Sequence, residues 1–498
     1  MQYRWRRNTD HEGTHGMRPI AEPEAHALRG TWEDGLAVFR GIPYATPPVG
    51  PLRWQPARPH PGWAGTIRDA SGAGPSAPQP YAPAPDPILG RHGEPPFDED
   101  CLTLNIWTPA LDGARPVLIW IHGGGFLSGS GSLPYYAGDT FARDGDLVVV
   151  TINYRLGALG YLYTGAGAGN YWLTDQLTAL RWVHDNIAAF GGDPDQVTVA
   201  GQSGGAFSTA ALACHPDAAP LFRRMILQSP PLGLELPDRA AALARTEQQL
   251  RVAGVGSIDE LRGLPPERLI ASLPEMAGAS MRFGYWPTPY LPVLDGVTMS
   301  RHPAEALVDV TDKDILIGWT ANEATFGFAF HPMYTAITTD QALTRFTGTF
   351  GDRARDAYDA YAAAHPDAGP RELLIELIGD DLFRVPAMNL VDASAAAGRP
   401  VWAYQFDYRT PAHDGRLGAT HCLDLPFTFA NPANWSNSPF LAGVDFDGLA
   451  DTVHAAWIDF IRTGDPHLPD WTPSTLPDRT IMRFDTKTTV SGDPTPIR

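Results

Sequence analysis

Cysteine, basic charge and long apolar runs are all scarce in this sequence. Only three of its 498 residues are cysteines, an odd and sparse set that indicates no disulfide framework. The 56 acidic residues outnumber the 37 basic ones, and the net charge of −19 repels phosphate backbones and anionic lipids. Because no run of about 18 apolar residues occurs, neither a membrane span nor a secretory signal is predicted. We expect a cytoplasmic protein with no nucleic-acid or membrane partner.

Aromatic residues, glycine and proline are plentiful. The 14 Trp, 21 Phe and 16 Tyr describe a folded, enzyme-like body, while 48 Pro and 50 Gly imply many long loops. From residue 115 onward, apolar β-rich runs alternate with helical stretches, which is typical of a mostly parallel sheet covered by helices. The pattern predicts helices at 174–190 and 206–214 and strands at 117–122, 147–154, 197–202, 225–229, 315–319 and 402–406.

The segment GQSGG at 201–205 is the single Gly-x-Ser-x-Gly motif of the chain. An apolar strand is predicted before it and a helix after it, so the serine is expected on a tight strand-to-helix turn. Such a turn strains the serine backbone, needs small residues two positions before and after, and holds the hydroxyl at a helix N-terminus. The context favours Ser203 as a nucleophile over the alternative, a glycine-rich turn with a capping serine.

Three consecutive glycines follow another apolar strand, in HGGGF at 122–126. Backbone N–H groups can approach a ligand there without obstruction from side chains. We predict that the N–H groups of Gly124, Gly125 and Gly204 form an oxyanion hole for a tetrahedral intermediate. The alternative is a flexible surface loop. His122 is expected to hold the loop rather than to take part in the chemistry.

Five further stretches follow one another along the chain: FRGIPYA at 39–45, EDCLTLN at 99–105, NYRLG at 153–157, AFGGDP at 189–194 and RTGDP at 462–466. Together they resemble the type-B carboxylesterase and cholinesterase family, and the similarity runs from about residue 30 to residue 485. The resemblance implies an α/β-hydrolase fold, a central, mostly parallel twisted sheet flanked by helices, with loop and helical insertions around the pocket. We predict a single domain at 25–495 with a helical insertion at 236–285, preceded by an irregular extension at 1–24.

The same resemblance assigns the other two catalytic residues. Glu323, in GWTANE at 318–323, matches the glutamate that is the family's triad acid, and His421, in GATH at 418–421, matches its catalytic histidine. Without the resemblance, Glu323 is equally a surface carboxylate, and any of the 15 histidines, including His413, is an alternative base. Other residues that match family positions are the supporting serine Ser229 and the ion-paired residues Arg53, Glu99, Arg155 and Asp175.

Two features depart from the family pattern. Many relatives have a disulfide that closes the loop ending at Cys101, but Ala77 stands at the partner position. No Trp lies between these two residues to bind a quaternary ammonium group as in cholinesterases, so a choline-ester specialist is not expected. Aromatic residues expected either in ordinary core positions or around a water-poor acyl or alcohol pocket are Phe126, Phe283, Tyr285, Trp286, Phe326 and Phe328.

We therefore predict a serine carboxylesterase that hydrolyses small-molecule carboxylic esters through an acyl-enzyme on Ser203, with Glu323 and His421 completing the triad. No metal or organic cofactor is required, and a monomer or small homo-oligomer is expected. Alternatives on the same triad are carbamate, amide or lactone hydrolysis and acyl transfer. An alternative from another class is a non-catalytic binding protein of cholinesterase-like fold.

Overall fold

The computed structural model describes residues 18–23, 27–63, 65–80, 86, 88–90, 96–165 and 169–492. Most of the predicted extension at 1–24 lies outside these ranges, and within them Ile20–Ala21 forms a short strand. The strands of the described ranges are β1 Ile20–Ala21, β2 Leu28–Arg29, β3 Thr31–Glu33, β4 Leu36–Pro43, β5 Arg68–Asp69, β6 Thr103–Thr108, β7 Arg115–Ile121, β8 Val148–Ile152, β9 Gly192–Gln202, β10 Arg224–Gln228, β11 Asp314–Thr320, β12 Val401–Phe406, β13 Ile481–Phe484 and β14 Thr489–Ser491.

One large mixed sheet contains most of these strands. Its order is β14-β13-β12-β11-β10-β9-β7-β8-β6-β4-β3, and the seven strands from β13 to β8 in that order are parallel. Strands β1, β2 and β5 form a separate small sheet. All six predicted strands are present, and they are the central parallel ones. Their near-continuous apolar runs suit a sheet that is buried on both faces.

Helices cover the sheet and fill the connections. The helix predicted at 174–190 is Tyr171–Asn186 followed by a 3₁₀ turn at Ile187–Phe190, and the one predicted at 206–214 is Gly204–Ala213. The predicted helical insertion at 236–285 contains four α-helices between residues 239 and 280. The α-helices of the described ranges are α1 Asp139–Gly145, α2 Gly157–Tyr161, α3 Tyr171–Asn186, α4 Gly204–Ala213, α5 Arg239–Ala253, α6 Ile258–Arg262, α7 Pro266–Ala271, α8 Leu273–Ser280, α9 Pro303–Ala306, α10 Thr325–Phe328, α11 Thr339–Phe350, α12 Ala354–Ala364, α13 Pro370–Gly379, α14 Val385–Ala396, α15 Leu425–Thr428 and α16 Leu449–Thr463.

The hydrophobic core lies on both faces of the sheet. Successive side chains of a strand point to opposite faces, and in β8 the side chains of Val148 and Val150 enter one apolar cluster while Val149 enters the other. The first cluster contains residues of α3 and α4, and the second contains residues of α1 and α16. Burial on both sides makes the strands a rigid platform for the loops at their ends.

The carboxyl ends of the central strands lie level with one another. Ile121 of β7 pairs with Gly201 of β9, and Gln202 of β9 pairs with Gln228 of β10. The HGGGF and GQSGG segments therefore leave the sheet at the same edge, and Glu323 follows β11 there. Ligands of parallel α/β sheets bind outside this edge. None of the helices in the described ranges combines the length and apolar character that crossing a lipid bilayer demands.

Candidate active site

Ser203 connects β9 to α4 on a strained turn. Its backbone has φ 56° and ψ −124°, a conformation that residues other than glycine rarely adopt. The N–H of Ser203 donates to the carbonyl oxygen of Gln228 at 2.9 Å, which ties the turn to β10. The predicted strand-to-helix turn is therefore present, with the serine at the N-terminus of α4.

Close packing requires the glycines on both sides of Ser203. A Cβ atom on Gly201 would lie 2.4 Å from the carbonyl carbon of Gly205, and one on Gly205 would lie 2.0 Å from the carbonyl oxygen of Ile121. Both distances are far shorter than a van der Waals contact. A larger residue at either position would push the strand, the turn and the helix apart, as the motif predicts.

Glu323 and His421 form a buried pair. Nδ1 of His421 donates to Oε2 of Glu323 at 2.5 Å, and the two residues are 4% and 3% exposed. The other carboxylate oxygen, Oε1, accepts the N–H of Thr320 at 2.7 Å. The N–H of Asn322 donates to the carbonyl oxygen of Ala419 at 2.9 Å, which joins the two loops that carry the pair. The carboxylate therefore holds the imidazole with its proton on Nδ1.

The second ring nitrogen of His421 faces Gln202, the residue before Ser203. Its Nε2 lies 2.9 Å from Nε2 of Gln202, and that amide nitrogen is also 3.4 Å from Sγ of Cys422. An amide nitrogen only donates, so Nε2 of His421 accepts, which is the tautomer that a general base needs. Across the described ranges, the hydroxyl of Ser203 makes no hydrogen bond. The predicted base and acid are thus in contact, and Ser203 lines the same cavity as His421 without a hydrogen bond to it.

The predicted oxyanion donors surround the same turn. Gly124 and Gly125 adopt φ values of 117° and 61°, in a region that glycine enters at lower cost than other residues. Their N–H groups make no hydrogen bond to any described residue. Gly204 is the first residue of α4, where an N–H has no acceptor within the helix. All three glycines line the cavity that contains Ser203, so three N–H donors are available to a negatively charged oxygen there.

A cavity of about 620 Å³ brings these groups together. Ser203 and His421 line it, and its volume lies in the range of small-molecule sites. Of the six candidate aromatic residues, Phe126, Trp286 and Phe326 line this cavity. The other three, Phe283, Tyr285 and Phe328, are not part of its lining.

Part of the cavity wall beside His421 was not predicted from the sequence. The ring centroid of Phe383 lies 4.9 Å from that of His421, and Leu382 lines the cavity next to it. Both residues belong to a π-helical turn, Asp380–Arg384, between α13 and α14. A π turn shifts the helical register locally, and no periodic pattern in the sequence reveals it. Gln202 stood inside the GQSGG motif without an assigned role.

Two other histidines, His122 and His413, each pack against an aromatic ring. The His122 ring stacks on Tyr154 with centroids 4.5 Å apart, and burial lowers the pKa of His122 to about 4, so the ring is neutral at neutral pH. Its structural role in the loop is therefore supported. His413, the alternative base, packs against Phe330 with ring centroids 4.9 Å apart and is not part of the cavity lining.

Of the other family-matched residues, the four charged ones form their expected ion pairs, and Ser229 does not form its expected hydrogen bond. The hydroxyl of Ser229 is buried but has no hydrogen-bond partner among the described residues, so the expected supporting contact is not formed. Both carboxylate oxygens of Glu323 already accept hydrogen bonds from other groups. The two ion pairs are present, with nitrogen–oxygen distances of 2.6 Å for Arg155–Asp175 and 2.7 Å for Arg53–Glu99.

A further buried carboxyl group, Asp424, lies three residues beyond His421. Its Oδ2 accepts the amide N–H of Gln228 at 2.8 Å and the hydroxyl of Tyr404 at 3.1 Å. Burial raises the pKa of Asp424 to about 6, and the charge of Glu323 adds to the shift. Nowhere in the described ranges do three His, Cys, Asp or Glu side chains converge as metal ligands.

The mostly parallel sheet, the strained serine turn and the chain order Ser, Glu, His define an α/β-hydrolase. The sequence profile of the carboxylesterase family matches residues 26–495, and the chain belongs to this family. Phenmedipham hydrolase of Pseudarthrobacter oxydans is 53% identical, over 93% of this chain and 94% of that protein. Para-nitrobenzyl esterase of Bacillus subtilis is 33% identical, over 94% and 95% of the two chains. A carboxylesterase structure from Geobacillus stearothermophilus superposes with a TM-score of 0.84 at 39% identity, covering 96% of this chain and 98% of that one. The protein is accordingly a carboxylic-ester hydrolase.

Proposed function

We propose that this hydrolase cleaves small-molecule carboxylic esters with Ser203 as nucleophile, His421 as general base and Glu323 as the residue that orients the base. The contact that carries the proposal is the buried 2.5 Å hydrogen bond from His421 to Glu323. It fixes the imidazole so that Nε2 is an acceptor, in the same cavity as a serine on a strained turn. This is the arrangement that activates a serine hydroxyl.

Acylation starts with the ester carbonyl beside Ser203. Oγ bonds to the carbonyl carbon while its proton passes to Nε2 of His421, and the carbonyl electron pair moves onto the oxygen. The N–H groups of Gly124, Gly125 and Gly204 hold this oxyanion, and loss of one such donor typically costs about 3 kcal/mol in the barrier. The bond to the alcohol oxygen then breaks, that oxygen takes the proton from Nε2, and the acyl-enzyme remains.

Deacylation repeats these steps with water. His421 removes a proton from water, whose oxygen bonds to the acyl carbon, and the same N–H groups hold the second oxyanion. The bond to Oγ of Ser203 breaks, Oγ recovers its proton from Nε2, and the carboxylic acid leaves. Beyond the ester and one water molecule, neither half-reaction needs a further reactant.

Replacement of the nucleophile tests the proposal. Ser203→Ala is expected to fold normally and to lose at least about 10⁴-fold in kcat toward p-nitrophenyl acetate. Mass spectrometry of the wild-type protein treated with a fluorophosphonate is expected to find the label on Ser203. Ser229→Ala is the matched control, since Ser229 follows the next strand with φ 47° and its buried hydroxyl has no partner within the described ranges. Retained turnover in Ser203→Ala, or a label on another residue, would rule out the assignment.

Carbamate hydrolysis is a second candidate reaction. The relative at 53% identity is named phenmedipham hydrolase, and phenmedipham is a carbamate. Ser203 would form a carbamoyl-enzyme with such a substrate, and water would release a carbamic acid. Comparison of kcat/KM for phenyl acetate and phenyl N-methylcarbamate separates the possibilities. Repeated turnover of the carbamate supports this reaction, whereas one phenol released per protein molecule identifies the carbamate as an inhibitor.

The cytoplasmic location and the monomeric or small homo-oligomeric state remain predictions from the sequence. Light scattering of the purified protein tests the second, and fractionation of the producing cells tests the first.

A further inference from the structure

The amide of Gln202 occupies the position on His421 that the hydroxyl of Ser203 needs during catalysis. Its Nε2 lies 2.9 Å from Nε2 of His421. We infer that Gln202 is a positioning residue, whose amide holds His421 unprotonated at Nε2 in the free enzyme and gives way to the hydroxyl of Ser203 when substrate is attacked. This inference rests on the proposed roles of Ser203 and His421.

The Gln202 side chain lies between the base and the oxyanion loop. Gln202 is the last residue of β9 and is 1% exposed. Its amide nitrogen faces two acceptors, Nε2 of His421 and Sγ of Cys422, at 2.9 and 3.4 Å. Its amide oxygen lies on the side of the oxyanion loop, where a Cβ atom on Gly123 would be 2.9 Å from it. The side chain therefore spans from the oxyanion loop to the base.

Other groups around the imidazole leave this contact to Gln202. The rings of Phe383 and Phe326 flank His421, with centroids 4.9 and 5.8 Å away, and neither offers a hydrogen bond in the plane of the imidazole. The titratable groups near it are Glu323 on Nδ1, the thiol of Cys422 and the carboxyl of Asp424. Among the described residues, only Gln202 is hydrogen-bonded to Nε2.

The titratable neighbours do not replace Gln202 in this role. Burial raises the pKa of the Cys422 thiol well above its usual value, so it stays neutral. Asp424 directs its Oδ2 to Gln228 and Tyr404 and not to the imidazole. The charge state of the base in the free enzyme is therefore sensitive to what side chain stands at position 202.

Nε2 of a neutral imidazole has a single lone pair, so each type of side chain at position 202 should have a different effect on the protonation of His421. A donor at this position favours the unprotonated ring, while a carboxylate favours the protonated ring, because it accepts a hydrogen bond from Nε2–H and carries an opposite charge. An apolar side chain of similar length does neither. The acidic limb of the kcat/KM profile reports the protonation of the base in the free enzyme. Its position should therefore rise in the order wild type, Gln202→Met, Gln202→Glu.

The test is the pH dependence of kcat/KM for p-nitrophenyl acetate in these three proteins. We expect Gln202→Glu to move the acidic limb upward by about one to three pH units, as an adjacent opposite charge does. Gln202→Met should move it upward by less than one unit, the effect of about one lost hydrogen bond. Both variants should recover activity as the pH is raised above the limb. Gln249→Glu is the matched control, because Gln249 is equally buried but bonds to Ser272 and Tyr290, outside the cavity.

The outcomes separate this inference from the proposed function. An acidic limb that stays in place in Gln202→Glu, or a loss of activity in both variants that is the same at every pH, would overturn the role of Gln202 and indicate a structural one. Fluorophosphonate labelling of the same proteins checks the nucleophile separately. A label on Ser203 with an unmoved limb refutes only the role of Gln202, whereas a label elsewhere refutes the proposed function itself. If Gln202→Glu does not fold, the shift in Gln202→Met alone decides, and no upward shift overturns the inference.

Discussion

Replacement of the acid by its amide, Glu323→Gln, is expected to lower kcat about 10⁴-fold while the protein folds normally. The two hydrogen bonds of the Glu323 carboxylate indicate how the amide of the variant is oriented. Oε1 of Glu323 accepts the N–H of Thr320 at 2.7 Å, so the amide oxygen keeps that position. The NH₂ group then replaces Oε2, which is 2.5 Å from Nδ1 of His421. Two donors cannot share one hydrogen bond, so the ring proton moves to Nε2, where the amide of Gln202 has to turn its oxygen toward the ring, and the lone pair that should receive the proton of Ser203 is lost.

The same wrong tautomer in a serine protease costs about 10⁴-fold in kcat, or about 5.5 kcal/mol. The assay is kcat for p-nitrophenyl acetate, with the Tm of each protein measured alongside. Glu323→Asp is the comparison, since it keeps the charge and withdraws it by about one bond length, ~1.5 Å. We expect it to retain more activity than the amide. An amide variant within tenfold of wild type, at an unchanged Tm, would refute the reasoning.

Two further predictions concern stability. Gly205→Ala places a Cβ 2.0 Å from the carbonyl oxygen of Ile121 and is expected to prevent folding or to lower Tm strongly. Gly254→Ala, at φ 74° with no other atom within 4 Å, should cost only about 1–2 kcal/mol of stability. Equal Tm values for the two variants would contradict the close packing described around Gly205. Burial raises the pKa of Asp424 to about 6, so ionisation of this carboxyl lowers the free energy of unfolding. The loss is absent below about pH 4 and reaches about 3 kcal/mol above the folded-state pKa. Asp424→Asn should therefore gain in Tm relative to wild type as the pH rises from about 4 to 7, and a difference independent of pH would contradict this.

Local chemistry explains which parts of the fold and site were predictable. The parallel strands are long runs of β-branched and apolar residues, such as VVVTI in β8, and burial on both faces leaves little ambiguity. The glycines of the serine turn and the oxyanion loop follow from local steric requirements, so their motifs alone indicate the geometry. Glu323 and His421 are 98 residues apart and meet only through the sheet, so the family resemblance was needed to select them.

The remaining features depend on contacts that no local pattern contains. The π-helical turn Asp380–Arg384 places Phe383 against the base, and a shift of one residue in helical register has no sequence signature. Ser229 matches a family position, yet the oxygens of Glu323 are occupied by other donors. The amide of Gln202 reaches His421 across 219 positions of the chain, which only the assembled sheet can bring about.

That long separation between the strained serine and its base has a consequence for the life of the polypeptide. During synthesis, the serine turn after β9 is made well before His421, so a nascent chain that already contains Ser203 still lacks the proposed base. If Ser203 and His421 have their proposed roles, turnover requires β12 to be paired with β11 and the loop after β12 to hold the imidazole in the cavity. Ester hydrolysis thus reports that the whole fold has assembled. Cleavage of the chain between these elements can abolish activity while all three proposed catalytic residues are still present.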